Sequence, residues 1–251
     1  MQQPPAPPPE TTSATAFVWS ADGRGAGAKS LRWMELGLVL FVAFAQSLVI
    51  SIYTLARSSD LSGTGVPSVR ILAGVILEVG ALAVLLYVLF RQGRSVKEIG
   101  LNFHWADAPR SVVLAITGVV VNYVFWLFLW SFYRNLTGHP PDATPRNVEF
   151  VRNFTWSGVF LVLINPWFEE LIVRAYLITE LRWLSGSTLL AVIASVVLQS
   201  SYHLYQGVIP ALIYAVLFLV FSIYYVWSGR ILPVILAHFY FDAMAIFSNW
   251  R

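Results

Sequence analysis

Seven ionisable side chains stand well inside stretches that are largely apolar: Glu78, Glu169, Glu170, Arg174, His203, His238 and Asp242. A charge at the centre of a bilayer costs about 2.5–3.5 kcal/mol on insertion scales, so such residues face one another or a wet cavity and mark function by default. Six of the seven follow residue 168 and fall on three separate apolar runs, as one shared site requires. Glu170 and Arg174 are spaced i,i+4 and can pair, which leaves Glu169, about 100° round a helix, free to face elsewhere. His238 and Asp242 share the same spacing and hence one helical face. Each group also has a plainer reading: an ion-pair knot for Glu169, Glu170 and Arg174, a hydrogen-bonded interior histidine for His203, a helix-to-helix clamp for His238 and Asp242. Glu78 reads either as a partner for a hydroxyl or for Arg174, or as part of a cavity wall.

Together these groups offer hydrolytic chemistry. A carboxylate and an imidazole around one water remove its proton as it attacks a carbonyl. A second histidine, with another polar group, donates to the developing oxyanion. The alternative is zinc held by Glu169, His203 and His238, the ligand types a catalytic zinc takes. There is no H-E-x-x-H segment, so the spacing does not call for that metal specifically. Either route hydrolyses a peptide or amide bond in a partly dry pocket. The chain has no cysteine, which excludes disulfides, cysteine-ligated zinc, iron–sulfur clusters and a thiol nucleophile.

Elements in a bilayer must position these groups. Hydrophobic residues make up 57% of the 251 residues and charged ones 12%, against about 25% charged in a soluble domain. Mean hydropathy is +0.68. The net charge of +3 is scattered between apolar runs, so no basic face exists for nucleic acid. Residues 1–29, Pro-rich at Pro4–Pro9, read as a disordered tail. The uncharged run 36–56 is too long for a cleaved signal segment and reads as a first span. Further runs lie at 71–90, 111–133 and 157–181. The stretch 183–229 has room for two spans turning near Tyr205-Gln206-Gly207 and Pro210, and a last run covers 231–250. Lipid offers the backbone no hydrogen bonds, so the expected fold is an all-α polytopic membrane bundle of seven spans, or eight if a short one hides in 183–250. Its parts are the tail, N-terminal helices over 30–156 and a catalytic core over 157–251.

Asn165-Pro166 reads as a helix start, asparagine as cap and proline at the first helical position, which sets Glu169 near the first turn. The segment 92–110 alternates charges with Val96, Ile99, Leu101, Phe103 and Trp105 and is expected along the membrane interface. Counting basic residues between spans favours a cytosolic N-terminus, with Arg24, Lys29, Arg32, Arg91, Arg94, Lys97, Arg110, Arg182 and Arg230 inside against Arg57, Arg70, Arg134, Arg146, Arg152 and Arg251 outside. A coupled transporter would also use buried carboxylates and histidines, but its inverted repeats predict matching polar residues in both halves, and here they crowd into one.

Glu169-Glu170-x-x-x-Arg174, then His203 in His-Leu-Tyr-Gln-Gly, then His238-x-x-x-Asp242 resemble the three ordered motifs of the CAAX protease and bacteriocin-processing family, which includes the type II CAAX prenyl endopeptidases and the Abi proteins. The resemblance covers about 157–250. It implies an all-helical intramembrane endopeptidase with a conical cavity open to the cytosol. In it Glu169 and His203 activate water, His238 and Asp242 stabilise the oxyanion, and Glu170 and Arg174 support them. It further implies a metal-independent, glutamate-based mechanism with no cofactor, zinc being the alternative. The partners implied are the lipid bilayer and a membrane-associated protein or peptide substrate, prenylated or leader-containing. The expected location is a bacterial inner membrane. The chain departs from the family pattern at Gln199, where phenylalanine is usual, at Ala175, where glycine is usual, and at Asp242, where asparagine is frequent. An ionised aspartate cannot donate to an oxyanion. Asp242 is therefore expected either to be protonated or to pair with His238, which then is the main donor. The family also includes members that act by binding, in bacteriocin immunity or regulation, and this is the alternative function.

Overall fold

The computed structural model describes residues 26–57, 68–143 and 156–248, which are mostly helical with no strand among them. The elements are α1 (Ala26–Arg57), α2 (Ser68–Arg91), α3 (Asp107–Thr137), α4 (Trp156–Glu169), a π-helical segment (Glu170–Tyr176), α5 (Leu177–Ser185), α6 (Thr188–Tyr202), α7 (Val208–Ser228) and α8 (Leu232–Ser248). Because α4, the π segment and α5 form one rod of 30 residues, seven rods occupy the seven predicted runs. Three of them fill 188–248 and leave no room for an eighth. Five rods are long and apolar enough to cross a membrane, and α6 and α8 are shorter apolar helices. Of the expected tail, only Ala26 to Lys29 are described, and they open α1.

Most rods are apolar all round because one side packs inward and the other faces lipid. On α1, Leu36, Val39 and Phe44 are buried while Leu38, Phe41 and Val49 are exposed. The α5–α6 hairpin is tight: Ser187 caps α6 by accepting from the Leu190 amide at 3.2 Å.

One end of the bundle is tied by ion pairs. Arg32 reaches Glu180 at 3.0 Å, Arg94 joins the same carboxylate, Arg91 pairs with Glu35, and Arg230 grips Asp107 at 2.7 and 2.8 Å. These contacts draw the 92–106 connection inward, contrary to the expected interfacial segment. Ile99 is fully buried and Val96 and Leu101 pack on the core, while Phe103 and Trp105 stay exposed. Gly100 lets this connection cross the α7–α8 turn: its φ is +88°, and a Cβ there would stand 2.5 Å from the Gly229 carbonyl oxygen.

The helix start expected at Asn165-Pro166 is not there. The rod begins at Trp156 and carries Pro166 inside it. A break at that depth would strand backbone groups in hydrocarbon, whereas a buried proline forfeits only one ladder bond.

The rod changes winding where its ladder meets neighbours. The Ser195 hydroxyl of α6 donates to the Val173 carbonyl at 2.9 Å, and the Tyr225 hydroxyl of α7 lies 3.2 Å from the Ala175 carbonyl. Hydroxyls that take carbonyls from the ladder favour the wider turn, a feature often found at functional sites. All seven π residues are buried.

Candidate active site

The 15 residues of α6 climb only about 22 Å, short of the roughly 30 Å hydrocarbon core. The chain therefore turns back within the bundle through His203 and a 3-10 turn, Leu204–Gln206. Irregular backbone at that depth survives only inside protein or beside a cavity. Here the Ser51 hydroxyl of α1 satisfies the Tyr202 carbonyl at 2.6 Å. Tyr202, His203, Tyr205 and Gln206 then line a cavity of about 550 Å³.

Three short polar pairs, each spaced i,i+4, gather at this cavity: Asn165 and Glu169 on α4, Gln199 on α6 and His203 just after it, His238 and Asp242 on α8. All but Gln199 belong to its lining. The chain direction makes α4 and α8 antiparallel, so Glu169 and Glu170 come level with His238, and Asn165 level with Asp242. Glu169, Glu170 and Arg174 are buried, and His238 nearly so.

His203 Nε2 stands 4.0 Å from Glu169 Oε2. Its ring lies stacked on Phe218 with centroids 5.1 Å apart, next to Tyr214 at 5.8 Å. The same Glu169 oxygen accepts from Gln199 Nε2 at 2.7 Å. His238 sits between two carboxylates, its Nδ1 2.6 Å from Glu170 Oε1 and its Nε2 3.5 Å from Asp242 Oδ1. A ring donating from both nitrogens satisfies both acceptors. Arg174 Nη1 lies 2.9 Å from each Glu170 oxygen, and its guanidinium is held between Phe218 at 5.2 Å and Phe221 at 5.7 Å. The expected Glu170–Arg174 pair is thus formed, and so is the His238–Asp242 face.

The structure gathers the four residues expected to do chemistry, and it adds two. Gln199 had registered only as a departure from a motif, and Asn165 only as a cap. Both stand four residues before a site residue, the one signal that could have drawn them in. Glu78, outside the motifs, lines the cavity from α2, and its Oε2 has no hydrogen-bond partner among the described residues. It does not serve as Arg174's partner.

The metal ligands expected as the alternative, Glu169, His203 and His238, are not the set that converges. Glu169, Glu170 and His238 each offer a ligand atom within 4.8 Å of one another. All three already have partners: Glu169 accepts from Gln199, Glu170 is held by Arg174 and His238 by Glu170. A dication there would lie close to a fixed guanidinium and compete with it for the same carboxylate.

Lining residues run from Glu169 to Gly158 along α4 and from His238 to Ala245 along α8. The cavity therefore extends from mid-bundle toward the end opposite the ion pairs.

Residues 151–244 match the family model described as Type II CAAX prenyl endopeptidase Rce1-like. No curated protein and no solved structure matches the chain. The matched segment contains Glu169, His203, His238 and Asp242, which line the cavity, and Glu170 and Arg174, which are buried behind His238. Over residues 151–244, this integral membrane protein is similar to the Rce1-like type II CAAX prenyl endopeptidases.

Proposed function

We propose that the protein is an intramembrane endopeptidase that hydrolyses a peptide bond of a membrane-associated substrate, prenylated or leader-containing, in a bacterial inner membrane with its N-terminus cytosolic. The observation that carries this reading is the 4.0 Å gap between Glu169 Oε2 and His203 Nε2 at the cavity wall. A water about 2.8 Å from each bridges the two groups and is held for attack. As its oxygen bonds to the substrate carbonyl carbon, Glu169 takes its proton and the C=O pair moves onto oxygen. His238 donates to that oxyanion from its looser side, Nε2, while Glu170 keeps Nδ1 engaged. Collapse of the tetrahedral centre breaks the C–N bond, and the proton held by Glu169 passes to the leaving nitrogen. Arg174 neutralises Glu170 and fixes it beneath His238. No step runs through a metal.

A cavity of about 550 Å³ falls within the 300–1,000 Å³ of ordinary ligand sites. Phe44, Leu161, Phe218 and Phe221 in its wall suit apolar side chains or a lipid tail.

The test needs no chosen substrate: new peptide termini are compared in membranes from cells carrying the wild type or Glu169→Gln. Cleavages that vanish with Glu169 are expected and identify the substrate. Identical profiles from equally abundant, folded proteins would replace catalysis with regulation or immunity by binding.

A further inference from the structure

We propose that Asn165 is a catalytic residue whose side-chain amide is the second hydrogen-bond donor to the oxyanion, with Asp242 holding it in place. This rests on the endopeptidase reading above.

An oxyanion needs donors, and Asp242, as a carboxylate, has none to give. It is instead the acceptor of two neighbours. Asn165 Nδ2 approaches its Oδ2 at 3.4 Å, and His238 Nε2 approaches its Oδ1 at 3.5 Å. The Asn165 amide presents its nitrogen, not its oxygen, to that carboxyl group. The amide nitrogen carries two N–H bonds. One is spent on Asp242, and the other remains for the cavity that Asn165 lines.

Position agrees with the role. Asn165 is one turn, about 6 Å along the helix, from Glu169, on the same face, toward the open part of the cavity. Asn165 and His238 line the same cavity as Glu169 and His203, so a carbonyl attacked by water there has both within its surroundings. Nor does Asn165 have a capping duty, because α4 starts at Trp156 and passes through it. The long contact from His238 Nε2 to Asp242 lets that single N–H turn to the oxyanion as it forms, while Asn165 keeps one N–H on Asp242. Asp242 is thereby a positioning residue.

The test uses the full-length protein in membranes and the substrate revealed by the Glu169→Gln comparison. Asn165→Leu keeps the shape and removes both N–H groups. The expected result is a kcat lower by about 100- to 1,000-fold, as for loss of one oxyanion donor, with KM within about threefold. Adding Asp242→Asn to that variant returns an amide from the facing helix and should restore kcat at least tenfold. A merely structural Asn165 predicts no such rescue. If Asn165→Leu melts early, Asn165→Ala is carried through the same pair of measurements. An Asn165 variant that keeps a third or more of the wild-type kcat overturns the inference, as does a well-folded double variant with no rescue. If no cleavage depends on Glu169 at all, the endopeptidase reading fails first, and this inference goes with it.

Discussion

The side-chain amide of Gln199 donates to Glu169 Oε2 at 2.7 Å, both groups buried, with His203 one helical turn further along the same segment. One oxygen of the proposed base therefore faces both a fixed amide and the imidazole with which it shares a water. The amide selects the rotamer in which that oxygen looks into the gap.

Gln199→Met keeps the length and bulk of the side chain and removes the donor. A hydrogen bond to a charged group contributes about 1.5–3 kcal/mol. The expected outcome is a kcat reduced by roughly 10- to 100-fold with KM little changed. Steady-state kinetics on the Glu169-dependent substrate checks it, and unchanged kcat removes Gln199 from the positioning of the base.

Arg174 is fully buried between two phenylalanines and balances Glu170. Arg174→Met leaves that carboxylate with His238 as its only charged partner described here, and unpairing a buried charge costs about 3–5 kcal/mol. A large fall in melting temperature is expected in detergent, with little recovery in Arg174→Lys, which lacks the planar group that stacks. A melting curve like that of the wild type would show the pair to be dispensable.

Chelation separates the two hydrolytic chemistries. With Glu170 held by Arg174 and His238 held by Glu170, activity of the purified protein is expected to survive a strong zinc chelator. Loss of activity together with release of one equivalent of metal, and return of both on adding zinc, would overturn the metal-free mechanism.

The direction in which the cavity runs sets two expectations about orientation against each other. The count of basic residues favours a cytosolic N-terminus. The cavity extends from mid-bundle away from the N-terminal end of α1, so that count turns it outward, whereas the family resemblance implies a cavity open to the cytosol. The two expectations cannot both hold. The chain lacks cysteine, so single cysteines report topology cleanly: Asn135→Cys, exposed near the end of α3, and Lys97→Cys, exposed at the ion-pair end. On the charge count, an impermeant thiol reagent added to intact cells labels Asn135→Cys alone. Labelling of Lys97→Cys alone reverses the protein and faces the cavity to the cytosol.

The sequence by itself determined the membrane class, the seven helical runs and the short list of chemical residues. Hydropathy acts locally, each span must satisfy its own backbone bonds, and a charge in an apolar run is costly enough to stand out without reference to the rest of the chain. The i,i+4 pairs Glu170–Arg174 and His238–Asp242 were legible for the same reason, since one helix supplies both members. Tertiary structure alone decided what meets across helices. Which glutamate faces which imidazole depends on the rotation and depth of α4 against α6 and α8, and the wider π turn that sets them arises where the hydroxyls of Ser195 and Tyr225, from other helices, take its carbonyls. Those same rotations bring Gln199 to Glu169 and Asn165 to Asp242, and they exchange His203 for Glu170 in the group that converges as potential metal ligands. Pro166 sits inside a helix because bilayer depth outweighs the local preference of Asn-Pro for a start. Ile99 goes inward because distant ion pairs draw its connection in. Contacts between elements depend on relative placement, and a residue's own neighbours in sequence do not encode it.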